Sequence, residues 1–183
     1  MNAAPAPMSA MKLELPDREV VLSRIFEANR ALVWKAWTEP KHMARWFGPR
    51  AFAVPICEID LRIGGAYRIV MRSAEGVDYP MQGVYRDIVP QELLVFTADL
   101  GEHPADWLAL LDDTLGGRGG ARAPREFRMT VIFEDERPDM TKVTIRNRFA
   151  SNAVRDAMAK MGMEEGWRQT LDRLAECLAD MNA

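Results

Sequence analysis

The chain has 183 residues, 48% of them hydrophobic and 28% charged, with a formal net charge of −3. This is the composition of an ordinary globular protein and excludes a disordered or fibrous chain, and the charge gives no electrostatic reason to expect nucleic acid or an anionic membrane as partner. Cys57 and Cys177 stand far apart and signal neither a disulfide framework nor a zinc site, and no apolar run reaches the roughly 18 residues of a membrane span, so a cytoplasmic protein is expected.

Residues 1–18 are rich in Ala and Pro without a hydrophobic period, so a disordered arm is expected there, followed by one domain over residues 19–183. Glu19–Phe26 (EVVLSRIF) reads as a strand, after which Val33, Ala36 and Trp37 fall on one side of a helix. Thr38 is expected to cap a second short helix, with Glu39 and Pro40 in its first turn and Gly48-Pro49 closing it. From Phe52 the period becomes two: Cys57, Ile59 and Leu61 alternate with Glu58, Asp60 and Arg62 before the Gly64-Gly65 turn. Tyr67, Ile69 and Met71 repeat the pattern in AYRIVMR, and the segments YPMQGVYRDIV, ELLVFTA, REFRMTVIFE and TKVTIRNRF complete a total of seven strands.

Ser151 caps a first C-terminal helical piece, and Trp167, Leu171, Leu174, Leu178 and Met181 form the apolar stripe of a long amphipathic helix. An antiparallel sheet with one apolar face and a single long helix must bury the face on the helix. The expected architecture is therefore α+β: a seven-stranded, curved antiparallel sheet wrapped around the C-terminal helix, with two short helices between the first and second strands. A hollow between such a sheet and helix is the default ligand site.

Particular blocks carry a resemblance. They are Arg24-Ile-Phe26 with Ala28, Val33-Trp34-x-Ala36-Trp37-Thr38-x-Pro40, Trp46-x-Gly48-Pro49, Asp60-Leu-Arg62-x-Gly64-Gly65, Gly83, Pro90, Leu94-Val-Phe96-Thr97, and Gly166-Trp167 with Leu171 and Leu174. In this order, from about Glu19 to the end, the chain resembles the bacterial branch of the activator of heat-shock-protein-90 ATPase homologue 1-like family, within the START/polyketide-cyclase/birch-allergen superfamily. The resemblance implies the helix-grip fold and a superfamily that commonly holds small apolar molecules in a central hollow. Departures are Asn29 where relatives often carry Pro, Phe47 where a second Trp is common, Ala98 where a bulky aromatic is expected, and an insertion at about 101–124.

Strand parity proposes the lining of the hollow: Cys57, Ile59, Leu61, Tyr67, Ile69, Met71, Leu94, Phe96, Ala98, Met129, Val131, Val143, Ile145 and Asn147, facing Trp167 and Leu171, with Tyr85 added as a polar candidate and Trp46 from the aromatic block; most of these are simply core. Apolar walls alone bind weakly, because association itself costs about 4–15 kcal/mol. A polar anchor is therefore needed, and Tyr67, Tyr85 and Asn147 are the candidates, each set against the plain alternative of a hydrogen bond inside a packed core. Trp34, Trp37, Trp46 and Phe47 are read mainly as packing of the small helices on the sheet, and Asp60 with Arg62 as an outward pair bracing the Gly64-Gly65 turn.

His42 and His103 lie apart, and no nucleophile elbow surrounds Ser23, Ser73 or Ser151, so no catalytic constellation, cofactor or metal site is expected. The Gly116–Gly120 run resembles a phosphate loop only superficially, since it neither follows a strand nor opens a helix, and is read as a flexible loop. Trp107, Leu108, Leu111 and Leu115 share one face of a short helix in the insertion, which is expected to act as a lid with Trp107 or Leu111 filling the space beside Ala98.

The expected function is binding of a small apolar ligand. The alternatives are a cofactor-independent cyclase or hydrolase and a co-chaperone for a heat-shock-protein-90 ATPase. The last is ranked lowest because eukaryotic activators use a further N-terminal domain and only a short arm precedes Glu19 here. A homodimer is left open, and lid or subunit interface are both open for the insertion.

Overall fold

The computed structural model describes residues 9–116 and 122–183. The first eight residues of the expected arm, and residues 117–120 of the glycine-rich run, lie outside the described residues. The elements in order are β1 (Lys12–Glu14), β2 (Glu19–Phe26), α1 (Arg30–Thr38), α2 (Pro40–Trp46), β3 (Ala53–Ile59), β4 (Ala66–Arg72), β5 (Asp78–Val89), β6 (Leu93–Asp99), α3 (Ala105–Thr114), β7 (Glu126–Arg137), β8 (Met140–Arg148), α4 (Asn152–Lys160) and α5 (Met163–Asn182).

The strands form one antiparallel sheet in the order β1-β2-β8-β7-β6-β5-β4-β3. The sheet has eight strands, not seven. The additional one, β1, lies inside the stretch expected to be a disordered arm: Leu13 pairs with Leu22, and the Arg155 guanidinium donates to the Leu15 and Pro16 carbonyls at 3.0 and 2.6 Å. Three residues after a Pro-rich run are too few to show alternation, so β1 forms because β2 offers it an open edge.

Asn29 caps α1, its side chain accepting from the Leu32 N–H at 2.9 Å. Thr38 does not cap α2. It is the last residue of α1, and its hydroxyl donates to the Trp34 carbonyl at 2.8 Å, leaving Glu39 as the α2 N-cap without a side-chain bond and Pro40 as the first helical residue. The structure has five helices where the expected architecture names three; the other two, α3 and α4, fall on the helical pieces read in the insertion and after Ser151, and α4 starts on the Ser151 cap, where the Ser151 oxygen accepts from the Val154 N–H at 3.2 Å.

The core lies between the sheet's inner face and α1, α2 and α5. Leu171, Leu174 and Leu178 of α5 are buried there with Leu22, Val131 and Ile145 of the sheet, each contributing at most about 1.5–3 kcal/mol of burial. Trp37 packs at a tilt against Trp46, ring centroids 4.8 Å apart, the Trp46 indole N–H donates to the Ala36 carbonyl at 2.9 Å, and Trp34 and Trp37 both meet Phe133 edge-on. The tryptophan block therefore fastens the small helices to β7, as its helical spacing suggests. Arg24 on β2, nearly fully buried, is paired with Asp172 of α5 at 2.7 Å and ties the sheet to the helix. Asp60 and Arg62 form a 2.8 Å pair that is largely exposed, beside the Gly64-Gly65 turn.

Candidate functional site

At one end of the core an apolar cleft of about 220 Å³ opens where α4 meets α5. One wall is the sheet: Met71 at the end of β4, Met81 on β5, and Phe127 and Met129 on β7. The opposite wall is the α4–α5 corner, with Met158, Met161, Gly162, Met163, Gly166 and Trp167. Phe47-Gly48-Pro49, after α2, and Leu100, His103 and Trp107, from the insertion, close the two sides. Six of the chain's 12 methionines line it. Thioether side chains are unbranched and polarisable, so such a wall adapts to the shape of an occupant.

Each wall is held by specific contacts. Arg173 of α5 donates from one guanidinium nitrogen to the carbonyls of Phe47 (3.3 Å), Gly48 (2.8 Å), Pro49 (3.0 Å) and Phe52 (3.1 Å) and from the other to that of Arg45 (3.0 Å), pinning the loop after α2 to the helix. Gly48 sits at φ +89°, and a Cβ there would lie 2.8 Å from the Met71 sulfur. Glycine thus permits both the turn and the close approach that shapes this corner. Gly162, at φ +90°, makes the bend between α4 and α5 that spreads the methionines around it.

The insertion folds back onto the domain. Leu111 of α3 is buried in the same core as Ala98, and the Asp112 carboxylate accepts from the Ala123 N–H at 2.8 Å and the Arg125 guanidinium at 2.7 Å. Trp107 lines the cleft with its ring 4.6 Å from that of His103, which Tyr79 meets edge-on at 5.5 Å. His103 is 8% exposed, and its Nδ1 has no hydrogen-bond partner among the described residues. Burial pushes its pKa down to about 4, against weaker opposing pulls from the Pro80 carbonyl and Asp99.

Of the residues proposed from strand parity, Met71, Met129 and Trp167 line this cleft. Tyr67, Ile69, Tyr85 and Phe96 surround instead a void of about 10 Å³, no larger than one water site. There Tyr67, Tyr85 and Phe96 pack with ring centroids 5.3–5.7 Å apart. Trp46, Ala98, Asn147 and Leu171 are fully buried in the core and line neither space. Among the candidate anchors, the Tyr67 hydroxyl donates to the Thr97 carbonyl at 2.7 Å, and the Asn147 amide donates to the Val20 carbonyl at 3.4 Å while its Oδ1 has no partner among the described residues.

Sequence reasoning did not assign to the site His103, Phe127, Leu100 or the Met158-Met161-Met163 corner. The available signal was the density of methionine around Gly162. Thr170 also lines the cleft, with its hydroxyl donating to the Gly166 carbonyl at 2.7 Å, which leaves His103 as the titratable side chain among the lining residues. No group of three or more His, Cys, Asp or Glu that could hold a metal occurs among the described residues, and no described helix is long and apolar enough to cross a membrane.

No curated protein matches the chain. Solved structures match over most of it: a Nitrosomonas europaea protein at 23% identity, covering 90% of this chain and 96% of that one with a TM-score of 0.72; an Arthrobacter aurescens protein at 22%, covering 93% and 91% with a TM-score of 0.75; and a Silicibacter pomeroyi protein that carries the AHSA1 name, at 23%, covering 88% and 97% with a TM-score of 0.65. At these identities the likeness shows a shared α+β helix-grip fold. The family model described as Activator of Hsp90 ATPase homolog 1-like protein matches residues 27–179, from the end of β2 to the last turn of α5, and the chain belongs to that family.

Proposed function

We propose that the protein binds a small, largely apolar molecule in the methionine-lined cleft, with α3 as its lid. The observation that carries this reading is the cleft's composition and position: an open apolar space, walled by adaptable methionines and two tryptophans, at the junction of sheet, insertion and α4–α5 corner. Met71, Met129 and Trp167 are the ligand contacts retained from the sequence reading, joined by Met81, Phe127, Met158 and Trp107. The volume of about 220 Å³ favours a single substituted ring or a short branched chain, since an apolar cavity of about 150 Å³ accommodates benzene.

A cyclase or hydrolase would need a second polar group within reach of His103. Thr170 is engaged with the helix backbone and the remaining lining side chains offer no group that titrates near neutrality, so binding is the better-supported role. Native mass spectrometry of freshly purified protein tests it. A retained small molecule is expected, lost from a Gly166→Leu variant that fills the cleft. Retention of the same molecule by that variant would place the ligand elsewhere.

A further inference from the structure

Among the residues lining this mainly apolar cleft, His103 carries a buried polar side-chain atom with an unfinished hydrogen bond. His103 is held between Trp107 at 4.6 Å and Tyr79 at 5.5 Å, and its backbone N–H is fixed by the Leu100 carbonyl at 3.0 Å. The ring therefore has little freedom to swing toward solvent. Its Nδ1 is nevertheless buried with no partner among the described residues. A buried polar atom left unmatched is unfavourable by about 1–3 kcal/mol, and such atoms are rare in folded proteins. Here the atom belongs to a residue lining the cleft.

We infer that His103 is the polar anchor of the cleft, and that the ligand class it selects is a neutral, mainly apolar molecule carrying one hydroxyl, such as an alkylphenol or a compact alcohol. This inference rests on the cleft being a binding site and adds what chemistry it recognises. A hydroxyl both donates and accepts, so it completes the Nδ1 bond in either tautomer of a neutral imidazole. Burial keeps the imidazole neutral at pH 7, and no Lys or Arg side chain lines the cleft. A carboxylate would thus enter an apolar space without a counter-charge, which is strongly unfavourable. A hydrocarbon would fit the walls and leave Nδ1 unmatched.

The test is a matched set of probes: 4-propylphenol, propylbenzene and 4-propylbenzoate, titrated by calorimetry against the wild type, His103→Phe and His103→Gln. In the wild type, 4-propylphenol should bind about tenfold tighter than propylbenzene, the advantage of one completed buried hydrogen bond, and 4-propylbenzoate should bind weakest. In His103→Phe the phenol's advantage should vanish while propylbenzene still binds. His103→Gln, which keeps a polar group, should restore part of it. The chain's two histidines, His42 and His103, make selective ¹⁵N labelling practicable, and the phenol should shift the His103 ring nitrogens but not those of His42. Equal affinity of phenol and propylbenzene for the wild type would overturn the anchor and leave the cleft as an unselective apolar site. Absence of binding by both would overturn the cleft reading and the anchor with it.

Discussion

The Tyr67 hydroxyl reaches two strands across the sheet to donate to the Thr97 carbonyl at 2.7 Å, passing its own pairing partner Gly83. A Cβ at Gly83 would lie 2.0 Å from that carbonyl oxygen, and the Thr97 hydroxyl oxygen accepts from the Val84 N–H at 3.2 Å. The β5–β6 ladder is open at this point, and a buried tyrosine and a threonine satisfy its polar groups. Tyr67→Phe should therefore lower stability by about 1–3 kcal/mol, because it orphans a buried carbonyl, without weakening ligand binding in the cleft. Chemical denaturation and calorimetry of the same variant separate the two effects; a lost ligand with unchanged stability would return Tyr67 to the binding site.

Gly166 lies on the cleft-facing side of α5, and a Cβ there would meet Pro49 at 3.8 Å, an ordinary contact. Gly166→Ala should raise stability by about 0.5–1 kcal/mol through helix propensity and the unfolded chain's entropy, with binding retained. Gly166→Leu should fold and lose binding. Thermal unfolding and a probe titration on both variants check the pair.

Arg173 joins four carbonyls of the loop after α2, and that of Arg45 in α2 itself, to α5. Arg173→Met keeps most of the aliphatic stem and removes every one of these bonds. Stability should fall by about 1–3 kcal/mol as part-buried carbonyls lose a charged donor, and affinity for an apolar probe should fall with it because Phe47-Gly48-Pro49 forms one side of the cleft. Unchanged affinity in a folded variant would show that this loop does not shape the site.

Much of the fold is written in the alternation of the strands. β2 and β4 match the segments read from sequence, and the apolar stripe from Trp167 to Met181 lies within α5. The missing strand β1 and the misplaced Thr38 cap share a cause: each depends on a neighbour in space, the free edge of β2 or the Trp34 carbonyl one turn back, that local pattern does not reveal. The site was legible only in part for a related reason. Parity identifies which side chains point inward but not whether the space between them is filled. Tyr67, Tyr85 and Phe96 point inward and fill their own space, whereas the opening lies where Gly162 bends the chain between two helices.

His103 also gives a pH signature. Its pKa is pushed down by burial to about 4 from 6.5, so between those values the unfolded chain binds more protons than the folded one and stability rises with pH. The contribution is complete above about pH 6.5 and is lost as the pH falls, reaching about 3 kcal/mol at pH 4. Asp99 is the charged group opposing the shift, and His42 is displaced in the same direction, first by burial. Denaturation midpoints at pH 7 and pH 4 should differ less for His103→Phe than for the wild type; parallel profiles would mean that His103 is solvated.

The most direct test of the binding site uses the methionines themselves. With ¹³C-methyl-methionine labelling, adding 4-propylphenol should shift the methyl signals of Met71, Met81, Met129, Met158, Met161 and Met163, which line the cleft, and leave those of Met43, Met140 and Met181 in place. Shifts centred on Met43 or Met181, or no shift at probe concentrations that saturate calorimetric binding, would contradict the account.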